Sequence, residues 1–207
     1  MKVLYGTSNP AKFATMKRIT KSLDIELIGL KDLNLPIPEV DESGKSPLEN
    51  AKIKARAYYE AFQMPVFSCD SGLYFDGLPD ELQPGTHVRR VNGKALSDAE
   101  MTEYYAALAK KHGDRLIGRY KNAICFIVDG ETEFCGFDDS LATEPFMLVS
   151  KPHPKRVEGH PLDPLSIDIA TGKYYHDLEY KSVDKSIDEG FKAFFENVLV
   201  AMEQRKV

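Results

Sequence analysis

The order of the predicted elements indicates an α/β fold with a mixed β-sheet. Short apolar strands alternate with amphipathic helices up to Phe75, an order that is typical of parallel strand pairing. A hairpin is predicted around Asp129-Gly130, and it adds antiparallel pairing. Because the 207 residues contain no internal repeat and no clear linker, we expect a single domain over residues 1–207.

Cap residues set the boundaries of the first elements. Asn9 is a suitable N-cap with Pro10 at the first helical position, and Ser46 and Glu49 have the spacing of a capping box. The predicted strands of this half cover residues 3–5, 25–30, 65–69 and 73–75. The predicted helices cover residues 10–23 and 47–62. An acidic loop is expected over residues 36–44 and an Asp-Ser-Gly turn over residues 70–72.

The second half is predicted to hold two helices, three extended segments and two long loops. Ser97 caps the first helix, and the last helix has an apolar face rich in phenylalanine. The predicted helices cover residues 97–112 and 187–206. The extended segments cover residues 117–128, 131–138 and 141–149. Loops rich in glycine and proline cover residues 76–93 and 151–164.

The composition excludes several classes of protein. Lys and Arg number 27 against 32 Asp and Glu, and a net charge of −5 is unsuited to binding nucleic acid. No apolar run approaches the roughly 20 residues that span a bilayer, so no membrane partner is expected. The first residues carry no signal-peptide pattern, and Cys69, Cys125 and Cys135 form no disulfide framework. These features predict a cytoplasmic, reduced protein.

The turn between the first strand and the first helix is a candidate phosphate site. Residues 6–12 read Gly-Thr-Ser-Asn-Pro-Ala-Lys. A helix N-terminus offers unpaired backbone N–H groups and a partial positive charge, which hold phosphates, and Lys12 lies on the first helical turn. The segment matches neither a P-loop nor a dinucleotide fingerprint. An ordinary capped helix with a surface lysine explains it equally well.

Two further segments carry carboxylates that suit a metal ion. Asp41 and Glu42 stand in the loop before the second helix, and oxygen ligands on an adaptable loop suit Mg²⁺. Asp70 follows a buried strand, at the strand end where open α/β sheets place their ligands. The alternatives are a capping box with a solvated helix face for the first segment and a plain Asp-Ser-Gly turn for the second.

Four motifs in order resemble those of the inosine triphosphate pyrophosphatase family, also termed HAM1-like, which hydrolyses non-standard purine nucleoside triphosphates. Residues 7–12 carry Thr-x-Asn-x-x-Lys, and residues 42–55 carry Glu-Ser-Gly-x-Ser-x-x-Glu-Asn-Ala-x-x-Lys-Ala. Asp-Ser-Gly-Leu follows at residues 70–73, and a Pro-Gly-x-x-x-Arg segment ends at Arg89. The resemblance covers roughly the first 90 residues, and the long motif at 42–55 is its most specific part.

The resemblance implies the fold and the reaction. The implied fold is an elongated central mixed β-sheet flanked by helices, with two lobes and a cleft between them. The implied reaction is Mg²⁺-dependent hydrolysis between the α- and β-phosphates, yielding a nucleoside monophosphate and pyrophosphate. Asp70 and Lys12 are the implied catalytic residues, with Asp70 as the base, and Glu42 or Asp41 together with Asp70 would bind Mg²⁺. A homodimer is implied as well.

The resemblance also implies a set of substrate-binding residues. They are Thr7, Ser8, Asn9, Lys12, Lys54, Ser71, Arg89, His160 and Asp163. Thr7 to Lys12 and Ser71 would hold the phosphates, whereas His160 and Asp163 lie where the family reads the base. Lys54 fits a solvated helix position equally well.

Several positions depart from the family pattern. Cys69 replaces an acid before Asp-Ser-Gly-Leu, and a Ser-His-Arg segment that helps to read the base is absent from residues 186–190. Lys181 or Lys185 would stand for the lysine of that segment. We therefore expect modest base preference, or a preference for another base. Two alternatives remain open: a pyrophosphatase for a different nucleotide, and a nucleotide-binding module that has lost catalysis.

Overall fold

A computed structural model describes residues 1–178 and 183–205. Its strands are β1 Lys2–Tyr5, β2 Glu26–Gly29, β3 Val66–Phe75, β4 Arg90–Val91, β5 Lys94–Ala95, β6 Leu116–Ile127, β7 Glu133–Gly136, β8 Phe146–Leu148 and β9 Ser166–Asp168. Its helices are α1 Pro10–Ile19, α2 Pro47–Phe62, α3 Asp98–Lys111 and α4 Val183–Gln204. Lys181 and the predicted helix end at residue 206 lie outside the described residues. No helix within them has the length and apolar character needed to cross a membrane.

Seven of these strands form one mixed sheet. The strand order is β2-β1-β3-β6-β8-β9, with β7 paired to β6. β1 pairs in parallel with β2 and β3. β6 pairs antiparallel with β7 and β8, and β8 pairs antiparallel with β9. The predicted mixed α/β sheet and the predicted hairpin are therefore confirmed.

The chain divides into two compact units. Unit 1 comprises Met1–Ser71, Lys121–Ala142 and Lys185–Val207, and unit 2 comprises Gly72–Tyr120 and Thr143–Asp184. The boundaries at residues 71 and 120 fall inside β3 and β6, so each of these strands contributes residues to both units.

Unit 1 has an apolar core on each face of its strands. On one face, Phe67 stacks on Tyr5 with ring centroids 4.5 Å apart and meets Phe195 of α4 edge-on at 5.0 Å. α1 packs on the same face. On the other face, Ala51 and Ala55 of α2 pack against the alternate residues of the strands. Helices therefore cover both faces of this part of the sheet, as an α/β fold requires.

Unit 2 has its own core under α3. Tyr105 and Ala109 of α3 are buried there with Phe146 of β8. The Tyr105 hydroxyl donates a hydrogen bond of 2.9 Å to the Val88 carbonyl, so the polar end of this buried ring is satisfied.

The predicted turn at residues 70–72 is wrong, because β3 continues without a break to Phe75. Gly72 allows this continuation. A Cβ there would lie 3.1 Å from the carbonyl group of Gly85, which exchanges two backbone hydrogen bonds with Leu73. The glycine therefore marks a close approach of two backbones within a strand rather than a turn.

Other boundaries differ from the predicted ones. α1 ends at Ile19 instead of residue 23, because the Thr20 hydroxyl donates to the Met16 carbonyl and the chain tightens into a 3₁₀ turn, Thr20–Ser22. β9 was not predicted, and the extended segment at 141–149 contains only the short strand β8. The second helix, in contrast, is confirmed at Pro47–Phe62.

Candidate active site

The turn between β1 and α1 is held by local capping bonds. The Asn9 side-chain oxygen accepts hydrogen bonds from the backbone N–H groups of Ala11 (2.9 Å) and Lys12 (3.3 Å). The Thr7 hydroxyl accepts one from the Asn9 N–H at 3.2 Å. A cavity of about 180 Å³ is lined in part by Thr7, Ser8 and Asn9. The predicted N-cap is confirmed, and Ser8 and Asn9 are exposed.

Gly6 brings this turn against neighbouring side chains. Its N–H donates to the Phe67 carbonyl at 2.8 Å, and its carbonyl accepts from the Ser68 hydroxyl at 3.2 Å. A Cβ on Gly6 would lie 2.3 Å from a ring carbon of Tyr58 and 2.4 Å from the Ser68 oxygen. Only glycine fits this position without a rearrangement.

Asp70 lies on β3 beyond the end of β1. Tyr5, the last residue of β1, pairs with Phe67, and β3 then continues through Asp70. Asp70 is therefore inside a strand, not after one as predicted. It nevertheless stands past the carboxyl end of the neighbouring parallel strand, where α/β sheets place ligands.

A lysine bridges the two acids Asp70 and Glu42. The Lys54 Nζ lies 2.9 Å from Asp70 Oδ1 and 2.8 Å from Glu42 Oε2. Lys54 is 8% exposed and Asp70 is 9% exposed, whereas the Glu42 side chain is half exposed. Lys54 is therefore not a solvated helix residue: it is a buried cation between two carboxylates.

Asn50 holds the second oxygen of Asp70, a contact that the sequence analysis missed. Its Nδ2 donates to Asp70 Oδ2 at 3.1 Å, and its Oδ1 accepts from the Gly44 N–H at 2.8 Å. Asn50 and Lys54 are one helical turn apart on α2, so both project from the same face. The Glu-Asn-Ala-x-x-Lys spacing was the available signal, because an asparagine one turn before a lysine shares that face.

The two acids determine the charge state of Lys54. Burial opposes protonation, but the hydrogen bonds to Glu42 and Asp70 outweigh it and hold the pKa of Lys54 above its ordinary value. Lys54 is therefore a cation at neutral pH, and it offsets part of the negative charge of the two acids.

The predicted Mg²⁺ ligands are Asp41, Glu42 and Asp70, and their positions and free oxygen acceptors show whether they suit the ion. Glu42 and Asp70 are joined through Lys54, whereas Asp41 is exposed. Among the described residues, these three acids do not form a group with all ligand atoms within 4.8 Å of one another. Each Asp70 oxygen accepts one hydrogen bond and keeps a second acceptor position, so Asp70 and Glu42 fit Mg²⁺ as oxygen donors.

Cys69 offers no charge to this site. It is buried, and burial raises the pKa of its thiol to about 12, against a smaller opposing effect of Lys12. The thiol is neutral at physiological pH. Cys69 therefore does not supply the negative charge that an acid would provide here.

Ser71 has a side-chain partner that the sequence analysis did not identify. Its hydroxyl donates to Asn122 Oδ1 at 2.7 Å, and Asn122 Nδ2 donates to the Leu141 carbonyl at 2.7 Å. The Ser71 proton is engaged in this network, so donation to a phosphate requires the hydroxyl to turn away from Asn122.

Three predicted substrate-binding residues, Arg89, His160 and Asp163, belong to unit 2. Arg89 pairs with Asp98 at 2.7 Å, and Asp98 also accepts from the Gly159 N–H at 2.7 Å. Arg89, followed by Gly159, lowers the pKa of Asp98. His160 is exposed, and its Nδ1 lies 3.8 Å from Asp163 Oδ2. Asp98 thus links Arg89 to the segment that carries His160.

The sheet order and these polar side chains define an α/β protein with a carboxylate–lysine site beyond the carboxyl end of the parallel strand β1. The family comparison makes the assignment specific: the model of the Ham1 family matches residues 3–141. The chain belongs to the Ham1 family.

Curated relatives and solved structures agree with this assignment. The dITP/XTP pyrophosphatase of Oceanobacillus iheyensis is 37% identical over 97 residues, 47% of this chain and 48% of that protein. That of Rhodopseudomonas palustris is 34% identical over 128 residues, 60% of this chain and 59% of that protein. The chain thus matches about half to three-fifths of the length of these relatives.

Two solved structures share the fold over nearly their full length. The Ham1 protein of Staphylococcus aureus has a TM-score of 0.75 at 22% identity, covering 95% of this chain and 99% of that one. A HAM1 protein from Coxiella burnetii has a TM-score of 0.74 at 21% identity, covering 98% of this chain and 99% of that one. The expected α/β fold with a central mixed sheet flanked by helices is confirmed.

Proposed function

We propose that this protein hydrolyses nucleoside triphosphates between the α- and β-phosphates, giving a nucleoside monophosphate and pyrophosphate. The observation that carries the proposal is the buried Asp70 carboxylate, held by Asn50 and Lys54 on a strand of unit 1. Membership of the Ham1 family and the relatives named dITP/XTP pyrophosphatase support a non-standard purine nucleotide as the substrate.

Asp70 is the proposed general base. Asn50 fixes one carboxylate oxygen and Lys54 fixes the other, so the carboxylate has a set orientation for accepting a proton from the attacking water. One water is consumed, and its oxygen becomes part of the monophosphate or of the pyrophosphate.

Mg²⁺ is the proposed cofactor, held by Glu42 or Asp41 together with Asp70. When bound, it neutralises charge on the polyphosphate and polarises the attacked phosphorus. Lys54 adds a fixed positive charge beside the same acids and is a proposed phosphate contact.

The remaining proposed contacts divide between the two units. In unit 1, Thr7, Ser8, Asn9 and Lys12 form the phosphate turn, with Lys12 also acting in catalysis, and Ser71 is a further contact once its hydroxyl turns. In unit 2, Arg89, His160 and Asp163 are the proposed contacts to the rest of the nucleotide. We also propose a single functional domain that acts as a homodimer in the cytoplasm; size-exclusion chromatography with light scattering tests the dimer.

The test is product analysis with Mg²⁺ over a panel of nucleoside triphosphates. Equal amounts of monophosphate and pyrophosphate, lost when the metal is chelated, are expected. Release of single phosphates, or turnover that chelation leaves unchanged, contradicts the proposal.

One observation favours a second candidate, a nucleotide-binding module without catalysis. The buried thiol of Cys69 stands where the resembling family has an acid, and its raised pKa keeps it uncharged. Calorimetric binding of a triphosphate with no products after long incubation would support this candidate over the enzyme.

A further inference from the structure

Two cysteines face each other on the β6–β7 hairpin of unit 1. Cys125 and Cys135 are directly paired residues of the antiparallel strands. Such residues have Cα atoms about 4.5–5.5 Å apart, and disulfides typically span about 4.4–6.8 Å between Cα atoms. The backbone therefore already holds the two residues at disulfide distance.

The two thiols differ in their access to solvent. Cys125 is buried in the core beneath α2, whereas Cys135 is exposed on the edge strand β7. The two sulfurs and a carboxylate oxygen of Glu133 all lie within 4.8 Å of one another. One thiol is therefore open to a reagent, and the other is in reach of the first but closed to solvent.

Charged groups surround the exposed thiol. Cys135 donates a hydrogen bond of 3.2 Å to Glu133. Glu133 is itself bound by two cations of α2, Lys52 at 3.2 Å and Arg56 at 2.8 Å. These cations offset the carboxylate charge that would otherwise disfavour a thiolate beside it.

The two thiols influence each other's acidity in opposite directions. The interaction with Cys125 lowers the pKa of Cys135; burial and Glu133 oppose this shift, and Lys52 assists it. The same interaction, followed by burial, raises the pKa of Cys125. Together with the close approach of the two sulfurs and their unequal exposure, these shifts match an attacking thiol, Cys135, beside a protonated resolving thiol, Cys125.

We propose that Cys125 and Cys135 form a redox-active dithiol, which disulfides of the glutathione class convert into an intramolecular disulfide. The Cys135 thiolate attacks oxidised glutathione, forms a mixed disulfide and releases one glutathione thiolate. The Cys125 sulfur then attacks the Cys135 sulfur, its proton passes to the departing glutathione sulfur, and a second glutathione leaves as the thiol. Two thiols are oxidised, and one glutathione disulfide is reduced to two thiols.

The experiment treats the full chain with oxidised glutathione, traps free thiols with an alkylating reagent, and maps the products by mass spectrometry. The wild type is expected to join the peptides of residues 125 and 135, with Cys69 alkylated only after denaturation. Reduced glutathione in excess should reverse the product.

Three variants make the test specific. Cys135→Ser should take up no glutathione at residue 125, and Cys125→Ser should stop at a stable mixed disulfide on Cys135. Cys69→Ala, the matched loss of a buried cysteine, should form the 125–135 link as the wild type does. Circular dichroism checks that each variant is folded.

Three outcomes would overturn the proposal. The first is a wild type that accumulates the same stable mixed disulfide as Cys125→Ser, and the second is a wild type that does not react. The third is a purified protein that retains stoichiometric zinc lost on changing either cysteine, because the thiols would then serve a metal.

Discussion

The ammonium group of Lys54 lies 2.9 Å from Asp70 Oδ1 and 2.8 Å from Glu42 Oε2. Two acids that would repel each other are therefore held by one cation on α2. The Mg²⁺ proposed at these acids would enter a site whose charge is already partly offset. Lys54 thus influences both the folding free energy of unit 1 and the balance of charge at the proposed metal and phosphate site.

We expect Asp70→Asn to fold and to lose turnover. The amide keeps the size of the side chain but accepts no proton and carries no charge toward a metal, and the loss of a general base costs about 10²–10⁴ in rate. Pyrophosphate release at saturating substrate measures the change, with the exposed Asp80→Asn as control. A folded Asp70→Asn that keeps more than about a tenth of the rate removes Asp70 from the catalytic role.

Lys54→Met should destabilise the protein by about 3 kcal/mol at neutral pH, because it leaves the buried Asp70 carboxylate without its cation. The folded-state pKa of Lys54 is raised above 10.5, so its contribution is complete below pH 10.5 and is lost as pH rises through that folded value. The stability gap to wild type should therefore be constant near neutrality and shrink at strongly alkaline pH.

Urea unfolding at a series of pH values measures this gap. The exposed Lys45→Met, close by in sequence, is the control and should match wild type throughout. A gap that is absent at neutral pH, or that grows with alkalinity, would contradict the role of the ion pair.

Lys12→Ala should weaken triphosphate binding about tenfold or more and leave nucleoside binding unchanged, since a charge-assisted hydrogen bond contributes about 1.5–3 kcal/mol. Calorimetry with a non-hydrolysable triphosphate and the matching nucleoside compares the two. Lys17→Ala, at the exposed end of the same helix, is the control. Equal losses for both ligands would make Lys12 an ordinary surface lysine.

Gly6→Ala should cost about 1–3 kcal/mol of stability, because its Cβ meets Tyr58 at 2.3 Å and Ser68 at 2.4 Å. In Gly130→Ala the new Cβ has its nearest neighbour at 3.9 Å, so this control should stay within about 0.5 kcal/mol of wild type. Chemical unfolding of both variants measures the two changes in stability. Equal midpoints would show that the turn rearranges around the new Cβ with little loss of unfolding free energy.

Discrimination among bases should be modest. Residues 186–190 hold no His-Arg pair, and Asp188 of this segment pairs with Arg18 on α1, so it is already committed within unit 1. Competition among inosine, adenosine, guanosine, cytidine and thymidine triphosphates measures the preference. A preference for inosine over adenosine and guanosine triphosphates above roughly a hundredfold in kcat/KM would reveal a base pocket made of other residues.

Local chemistry explains which parts of the fold were predictable. Asn9, Ser46 and Ser97 cap helices that begin where these residues predict, because capping depends on a few neighbouring atoms. The Ser71–Asn122 contact joins residues far apart in sequence, and no local pattern encodes it. Gly72 was misread for a related reason: its role in β3 depends on Gly85, which approaches it in space.

The fold of unit 1 also has a consequence for folding of the chain during its synthesis on the ribosome. Phe67 is covered edge-on by Phe195 of α4. Residues 72–120 and 143–184 separate the segments of unit 1, so they must be synthesised before residues 185–205, which carry Phe195, emerge. A nascent chain that has already paired β1 with β3 therefore carries an apolar face that α1 covers only in part until residues 185–205 have left the exit tunnel. Unit 1 is therefore completed only after the segments of unit 2 have been synthesised, and in that interval the part of the Tyr5 and Phe67 face that α4 covers is open to chaperones.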